Sequence, residues 1–354
     1  MALQDTPVAR FLIVMAAFVI VIAGMRAAES VLIPFLLSLF IAMICTPPFA
    51  WLKKKGIPSW LALLIMLLAI VGIGFLVGMV VGSSINEFRE DLPQYQERLQ
   101  FLSLQLQELL QGRGIELPNQ MWKEVFNPNI ALAFVGNTLA SFGNVMTNAI
   151  LILLTVLFVL AEEVRFSDKM LSAHPEAERA VTVLKRFTHS VNQYMAIKTS
   201  LSLLTGFLVM GWVWWLGVDY PALWGLLAFL LNFIPNLGSI LAAVPTVLLA
   251  LIQLGVPDAV LTAAGYVAIN MVVGNLLEPR IMGKGLDLST LVVFLSLVFW
   301  GWVFGPVGML LSVPLTMMVK FALESLEGTR WLGVMLGSGK DMGLTENVSS
   351  PELL

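Results

Sequence analysis

The sequence predicts an all-α polytopic membrane protein with about eight transmembrane helices, one broken, re-entrant helical hairpin and a small helical extramembrane domain. Of the 354 residues, 58% are hydrophobic and only 12% are charged, whereas about 25% of a soluble domain is charged. The mean hydropathy is +0.88. Apolar runs also recur near the length of about 20 residues that a spanning helix requires. These observations together exclude a soluble globular domain.

The N-terminal part of the chain predicts a bundle of three transmembrane helices. Residues 8–25, 31–52 and 59–82 are each long and apolar enough to cross a bilayer. Residues 84–141 change character, because charged side chains return and leucines fall at helical spacing. We therefore expect residues 1–83 to form the first transmembrane bundle and residues 84–141 to form an extracytoplasmic, mostly helical domain.

The rest of the chain predicts one more span and then a transport core. Residues 142–161 are apolar and predict a transmembrane helix, whereas residues 162–199 are polar and predict a cytoplasmic amphipathic segment. Residues 200–325 form the core, where Pro, Gly and Asn interrupt the helices, and residues 326–354 form a polar cytoplasmic tail. The apolar runs of the core are residues 200–217, 222–254, 258–277, 286–304 and 306–323.

Basic residues near span ends predict the orientation, because cytoplasmic loops are enriched in Lys and Arg. Lys53–Lys55 follow the second span, so this loop and the N-terminus are expected to be cytoplasmic. Counting forward places residues 84–141 outside. The loop with Arg280 and Lys284 is then cytoplasmic only if residues 222–254 enter and leave on the outer side. We therefore predict a helical hairpin there and a cytoplasmic C-terminus.

The tip of this hairpin is the most informative stretch of the sequence. Asn232, Pro235, Asn236 and Gly238 interrupt it, and Pro245 follows in the second arm. Proline removes a backbone donor, and a broken helix persists at membrane depth only where protein or a wet cavity surrounds it. The asparagine amides either bind a polar solute or ion or merely satisfy the broken backbone. The candidate substrate-pathway residues are Asn232, Pro235, Asn236, Gly238, Asn270 and Asn275.

A second polar group lies where the span 258–277 ends. Pro279 is expected to end that helix at Glu278, and the three-residue spacing places Asn275 on the same face as Glu278. An ionisable residue in a membrane segment is a functional hypothesis by default. We predict that Glu278 gates the inner mouth or couples transport to an ion by pairing with Arg280 or Lys284. The alternative is an interfacial salt bridge.

The hairpin has a weak echo nearer the C-terminus. Gly238 and Pro245 frame GSILAAVPT, and Gly308 and Pro314 frame GMLLSVPLT, which follows Pro306. Paired interrupted segments in two halves of a transporter point to its binding site, although Gly and Pro also recur by chance in apolar sequence. The candidate helix-break and packing residues are Pro245, Pro306, Gly308 and Pro314.

The sequence contains no catalytic constellation. Cys45 is the single cysteine and His174 and His189 are the only histidines, which excludes an intrachain disulfide and a Cys-based zinc site. Phosphate-binding loop motifs are also missing. The net charge of −3 gives no basic surface for nucleic acid. We expect no enzyme activity, no cofactor and no metal, so transport would be passive or ion-coupled.

Three sequence blocks resemble one family of membrane proteins. They are PFLLSLFIAMICTPPFAWL, NFIPNLGSILAAVP and GNLLEPRIMGKGLDLSTLVVFLSLVFWGWVFGPVGMLLSVPLT. Over residues 8–325 the chain is similar to the autoinducer-2 exporter (AI-2E) family of bacterial inner-membrane proteins, above all to its quorum-signal exporter. The resemblance implies efflux of a small polar furanone-type signal, although some members resemble sodium or lithium/proton antiporters. It also implies a bacterial inner-membrane location and a homo-oligomer, a pentamer.

The sequence therefore predicts a secondary transporter that exports a small polar signal or a related metabolite, surrounded by lipid and coupled to H⁺ or Na⁺ if coupled at all. The first alternative is a monovalent cation (Na⁺ or Li⁺)/proton antiporter. Proton relays favour buried acids, whereas Asp219, Asp258, Glu278 and Asp287 lie near span ends. The second alternative is a non-transporting scaffold, which has no need of polar breaks inside the membrane.

Overall fold

The computed structural model describes residues 7–112, 136, 151–162, 177–235, 237–282, 288–325 and 328–337. All regular structure in these ranges is helical. Within them, five helices are long and apolar enough to cross a membrane, and four shorter helices are also apolar. The chain is therefore an all-α polytopic membrane protein, which confirms the predicted fold class.

The described helices are numbered here in chain order. They are α1 (Pro7–Ala27), α2 (Glu29–Lys54), α3 (Ser59–Gln111), α4 (Leu151–Glu162), α5 (Ala177–Leu216), α6 (Pro221–Leu231), α7 (Gly238–Gln253), α8 (Val256–Asn270), α9 (Glu278–Met282), α10 (Thr290–Ser325) and α11 (Arg330–Leu336). A π-helical segment, Met271–Leu277, connects α8 to α9. The chain divides into a first unit (Met1–Ala50, Leu154–Met195 and Lys284–Leu354) and a second unit (Trp51–Leu153 and Ala196–Gly283).

Helix α3 is the longest element, and it passes through the predicted domain boundary at residue 84. Its 53 residues extend about 80 Å at 1.5 Å per residue, whereas a bilayer's hydrocarbon core is about 30 Å thick. The leucine-rich stretch predicted for the extramembrane domain thus begins as a direct extension of the third span. Pro93 lies inside α3, where it leaves one helical hydrogen bond unmade. Residues 113–135 and 137–141 of the predicted domain lie outside the described residues.

Helix α5 likewise unites two segments that the sequence separates. It begins in the segment 162–199 and continues to Leu216 as one helix of 40 residues. The pattern changes from amphipathic to apolar along it, but no Gly or Pro lies at the change to end the helix. The polar end and the membrane-spanning end of α5 are therefore continuous.

The core of the second unit forms around α7, which packs against α3, α6 and α8. Trp224 of α6 and Leu249 of α7 are both 0% exposed there. Helices α5 and α6 approach closely through glycine, because a Cβ on Gly225 would lie 2.8 Å from the carbonyl oxygen of Gly206. Small residues at such a crossing are typical of membrane helices. This packing places the ends of α6 and α7 beside α5.

In the first unit, α10 is a hairpin. The chain turns at Gly305, which has φ 62° and ψ −145°. The indole Nε1 of Trp300 donates a hydrogen bond to Thr316 Oγ1 at 3.0 Å, 16 residues further on, although a straight helix of that length would separate them by about 24 Å. Residues 290–303 and 306–325 therefore form two arms that fold back on each other.

Large apolar side chains face outward on the helices predicted to span the membrane. Ile20 of α1 is 70% exposed and Phe75 of α3 is 67% exposed. A water-soluble protein rarely exposes contiguous apolar surface of this kind, whereas a lipid-facing helix does so along its length. The exposed faces of these helices are accordingly lipid-facing surfaces.

Candidate functional site

The candidate site surrounds the tip of the α6–α7 hairpin. Helix α6 ends at Leu231 and α7 begins at Gly238. The amide of Ile234 donates to the Leu231 carbonyl at 2.8 Å, and the amide of Gly238 donates to the Ile234 carbonyl at 3.2 Å. The second arm starts so close to the first that a Cβ on Gly238 would overlap the Leu231 carbonyl. The structure therefore contains a tight hairpin where the sequence predicts one, and it requires glycine at residue 238.

The turn satisfies much of its own backbone. The amide of Leu237 donates to the Pro235 carbonyl at 2.6 Å, and the amide of Asn232 donates to the Ala228 carbonyl at 3.0 Å. These amides need no asparagine side chain as a partner, which weakens the interpretation that the asparagines merely repair the broken helix. Asn236 lies outside the described residues.

The side chain of Asn232 points to a neighbouring helix. It is buried, with 8% exposure, and its Nδ2 donates to Ser202 Oγ of α5 at 2.9 Å. An amide group carries two donor hydrogens and an acceptor oxygen. This bond uses one hydrogen of Nδ2 and does not involve the carbonyl oxygen Oδ1. Asn232 thus fixes the hairpin tip to α5 and presents an acceptor beside the turn.

One turn earlier on α5, a buried lysine holds Glu278. Lys198 is 4% exposed, and its Nζ lies 2.7 Å from Glu278 Oε1, within hydrogen-bonding distance. Both residues belong to helices long and apolar enough to span a membrane. A buried charge must be paired, and here each residue provides the other's partner.

The two partners that the sequence predicts for Glu278 are not the residue that binds it in the structure. Arg280 is exposed, and Lys284 lies outside the described residues. Lys198 lies in a segment rich in basic residues. In the sequence, a lysine at such a position indicates only that the segment is cytoplasmic. Only the helix packing reveals that it reaches Glu278.

Lys198 and Ser202 belong to a polar strip on α5. Thr205 is also buried on this helix, and its Oγ1 donates to the Leu201 carbonyl at 3.0 Å. Beside Lys198, the Oγ1 atom of Thr199 is buried and has no hydrogen-bond partner within the described part of the chain. Sequence reasoning missed this strip, although the four-residue spacing of Lys198 and Ser202 is a helical signal that it could have used.

The π-helical segment explains the positions of the two remaining asparagines. Asn270 is half-buried at the end of α8, and its Oδ1 would lie 3.0 Å from a Cβ on Gly274. Asn275 is exposed, whereas Glu278 is partly buried. A π-helical turn contains more residues than an α-helical turn, so a three-residue spacing no longer returns to the same face. The structure therefore separates Asn275 from Glu278, which the sequence places together.

The first unit contains the predicted echo, built in the same way. A Cβ on Gly308 would overlap the carbonyl oxygen of Trp300 in the preceding arm, as a Cβ on Gly238 would overlap that of Leu231. Pro314, like Pro245 of the other hairpin, is buried in the second arm, whereas Pro306 is exposed at the turn. The two segments thus share one local construction.

Nearly the whole chain is similar to known proteins. Residues 12–328 match the family described as AI-2E family transporter. The chain is 42% identical to the AI-2 transport protein TqsA of Escherichia coli (strain K12), across 92% of this chain and 95% of that protein. It is 41% identical to a Haemophilus influenzae protein over 94% of this chain and 97% of that one. It is also 35% identical to YhhT of Escherichia coli (strain K12), over 93% and 94% of the two chains. The names of these last two relatives specify transport but no substrate.

Proposed function

The chain belongs to the AI-2E family of transporters, and we propose that it exports a small polar signal molecule of the autoinducer-2 type, or a related metabolite, across the bacterial inner membrane. Transport follows from the family. The substrate class is proposed because a relative that matches 92% of this chain is named an AI-2 transport protein. The outward direction rests on the resemblance drawn from the sequence blocks around the two hairpins.

The observation that carries the proposal is the polar strip inside apolar helices. Asn232 bonds Ser202, and Lys198 bonds Glu278, with the two α5 residues one helical turn apart. Polar side chains are costly at membrane depth and mark solute pathways when they occur there. A small solute with several hydroxyl groups could exchange hydrogen bonds with these amide, hydroxyl and carboxylate groups.

We further propose how the chain sits in the membrane. The loop around Lys53–Lys55 and the loop around Arg280–Lys284 are cytoplasmic, as are both termini, and residues 84–141 are outside. The α6–α7 hairpin enters from the outer side and returns to it, as the distribution of basic residues predicts. Its 11 and 16 residues give arms of about 17 and 24 Å, so neither arm spans the bilayer core of about 30 Å. The assembly is a homo-oligomer, a pentamer by family resemblance.

Flux through purified protein tests the proposal. The full chain is reconstituted in liposomes, and release of labelled autoinducer-2 is followed with and without pH and sodium gradients. We expect saturable flux that the Asn232→Leu variant loses and that Ser83→Ala, a matched polar change at an exposed position of α3, retains. Flux equal to that of empty liposomes would refute the substrate and would favour the scaffold alternative.

The monovalent cation/proton antiporter remains a second candidate, because Lys198–Glu278 is an ionisable pair within membrane helices. An antiporter predicts that Na⁺ or Li⁺ added to the liposomes moves protons without any organic solute. It also predicts that Glu278→Gln, which preserves shape but cannot titrate, changes the pH dependence of transport between pH ~5.5 and ~8.5. If Glu278→Gln follows the wild-type profile throughout, Glu278 has no coupling role.

A further inference from the structure

Four side chains at the other end of the hairpin form a continuous chain of hydrogen-bonding groups. Tyr220 OH donates to Asp91 Oδ2 at 2.6 Å, and Tyr95 OH donates to Asp219 Oδ2 at 2.7 Å. The two phenol oxygens lie 3.0 Å apart. Asp91 and Tyr95 belong to α3, whereas Asp219 and Tyr220 immediately precede α6. We call this group the Asp–Tyr chain, in the order Asp91, Tyr220, Tyr95, Asp219.

The four side chains of the Asp–Tyr chain make three contacts, and the number of protons decides how many of them can be hydrogen bonds. Each phenol carries one proton, and an ionised carboxylate carries none. If both tyrosines donate to aspartates, no proton remains for the contact between the two phenol oxygens. A hydrogen bond at each of the three contacts needs a third proton, and a carboxyl group is the member of this set that can carry it.

The third proton can reside at either end. With Asp91 protonated, each group donates to the next, and ionised Asp219 is the final acceptor. With Asp219 protonated, every bond reverses and Asp91 is the final acceptor. Since the two arrangements use the same heavy-atom positions, the proton can pass between the aspartates by shifts along the hydrogen bonds, without movement of a side chain.

The surroundings hold the Asp–Tyr chain in place and supply no cation. Phe88 packs on both phenol rings, with centroid distances of 5.8 and 6.3 Å. The backbone amide of Asp219 donates to Gln253 Oε1 at 2.9 Å, and Trp224 Nε1 donates to the Asp219 carbonyl at 2.8 Å. Among the described residues, no basic side chain forms an ion pair with either aspartate. Within the described residues, these carboxylates are therefore stabilised by hydrogen bonds from the phenols and not by ion pairs.

The backbone of Tyr220 has an unusual conformation at the point where its side chain contacts Asp91 and Tyr95. Its φ of 60° and ψ of 45° place it in the left-handed region, which costs a bulky residue about 1–3 kcal/mol and recurs at functional sites. Burial and the hydrogen bond to Asp91 raise the pKa of Tyr220 above its ordinary value, so it remains a donor at physiological pH. Both tyrosines are buried, whereas both aspartates are only partly buried. The Asp–Tyr chain thus has a dry centre and two ends that solvent can reach.

We propose that the Asp–Tyr chain is a proton-binding site that couples transport to a proton gradient. This inference rests on the proposed transport function. Binding adds one proton to a carboxylate, forms no other covalent bond and completes the contact between the phenols, which ties α3 to the base of the α6–α7 hairpin. Release removes only the bond between the two phenols. The two tyrosine–aspartate bonds remain, so α3 and the hairpin base are joined by three bonds when the proton is bound and by two after its release.

Infrared spectroscopy of the full-length protein in lipid tests the proton without requiring transport. We expect wild type to show a protonated-carboxyl C=O band that is lost as the pH rises. The Asp91→Asn and Asp219→Asn variants should each lose this band, because asparagine replaces the carboxyl proton with an amide donor. Glu87→Gln, which changes an exposed acid on the same helix, should retain it. No such band in wild type at any pH, or a band unchanged in both Asn variants, would overturn the proposal.

Flux in liposomes then tests the coupling. An imposed pH gradient should stimulate flux of labelled autoinducer-2 through wild type and through Glu87→Gln, whereas Asp219→Asn should lose the stimulation. Stimulation of Asp219→Asn equal to that of wild type would refute coupling through this site. A protein that moves no autoinducer-2 at all would refute the proposed substrate, while the infrared result would still decide whether the proton is bound.

Discussion

A buried lysine in a membrane helix is stable only when its charge has a partner. Lys198 meets this condition through Glu278, at 2.7 Å. Removing both members of such a pair is often nearly neutral, whereas removing one leaves an uncompensated charge and costs about 3–5 kcal/mol. Glu278 retains 22% side-chain exposure, so solvent lowers the cost on its side.

This asymmetry predicts the effect of changing the pair. We expect Lys198→Met alone to reduce the free energy of unfolding by about 3 kcal/mol, and Lys198→Met with Glu278→Met to recover most of the loss. Denaturation of the purified protein in detergent measures both. The comparison is Arg89→Met, which changes an exposed cation of α3 and should alter the free energy of unfolding by less than about 1 kcal/mol. Equal losses in the single and double variants would contradict this account.

The buried amide of Asn232 is tested by substitutions that remove its hydrogen-bonding groups. Asn232→Leu should abolish flux of labelled autoinducer-2 while leaving expression and oligomer size intact, because leucine fills a similar space but carries no hydrogen-bonding group. Ser202→Ala removes only the acceptor at 2.9 Å and should reduce flux without abolishing it. If Asn232→Leu instead lowers the yield of folded protein, the amide has a structural role and is not part of the substrate pathway.

Individual residues could be predicted from the sequence only where their chemistry was unusual in context. Asn232 and Glu278 stand out because polar groups are rare in apolar runs. Lys198 does not, because a lysine near a span end has an ordinary explanation in membrane orientation. Its contact with Glu278 joins residues 80 positions apart, and local patterns contain no information about such a pairing.

Both hairpins depend on a glycine that begins the second arm. In each, a Cβ at this position would overlap a carbonyl oxygen in the first arm, that of Leu231 for Gly238 and that of Trp300 for Gly308. A backbone carbonyl in a helical turn cannot move away as a flexible side chain could. The close approach, rather than backbone flexibility, is therefore the reason for glycine.

Alanine at either glycine should open its hairpin. We expect Gly238→Ala and Gly308→Ala each to cost at least about 3 kcal/mol, at the upper end for overpacking. Gly78→Ala is the matched control, because nothing lies within 4 Å of a Cβ there, and it should stabilise α3 by about 0.5–1 kcal/mol. Thermal unfolding of the three purified variants measures the difference. If Gly238→Ala unfolds at the same temperature as Gly78→Ala, the tight contact is wrong.

Element type was predictable, but element continuity was not. Apolar runs of spanning length and the Pro–Gly breaks at residues 235–238 identified the helices and the hairpin. The unbroken α3 and α5 were missed, because a change from apolar to amphipathic sequence looks like a boundary even when the backbone continues. The π-helical segment Met271–Leu277 was also missed, since an extra residue in a turn is fixed by tertiary packing.

For the whole molecule, the distribution of basic residues gives an orientation that labelling can test. In a Cys45→Ser background, single cysteines are introduced at residues 105 and 284. A reagent confined to the outside of the cell should modify a cysteine at residue 105 and should not reach residue 284. The opposite pattern would invert the topology and place the α6–α7 hairpin on the cytoplasmic side.

Because α3 is so long, a small tilt of the helix moves its far end by several ångströms. If the membrane holds residues 59–82, the remaining 29 residues to Gln111 extend about 43 Å, so a tilt of roughly 5° displaces the far end by about 4 Å. Pro93 is the weakest point of the helix, since it lacks one helical hydrogen bond. It lies between Asp91 and Tyr95, the two α3 residues of the Asp–Tyr chain. Under the proposed coupling, a small bend at this point converts a change of one proton into a displacement of about 4 Å at the far end of α3.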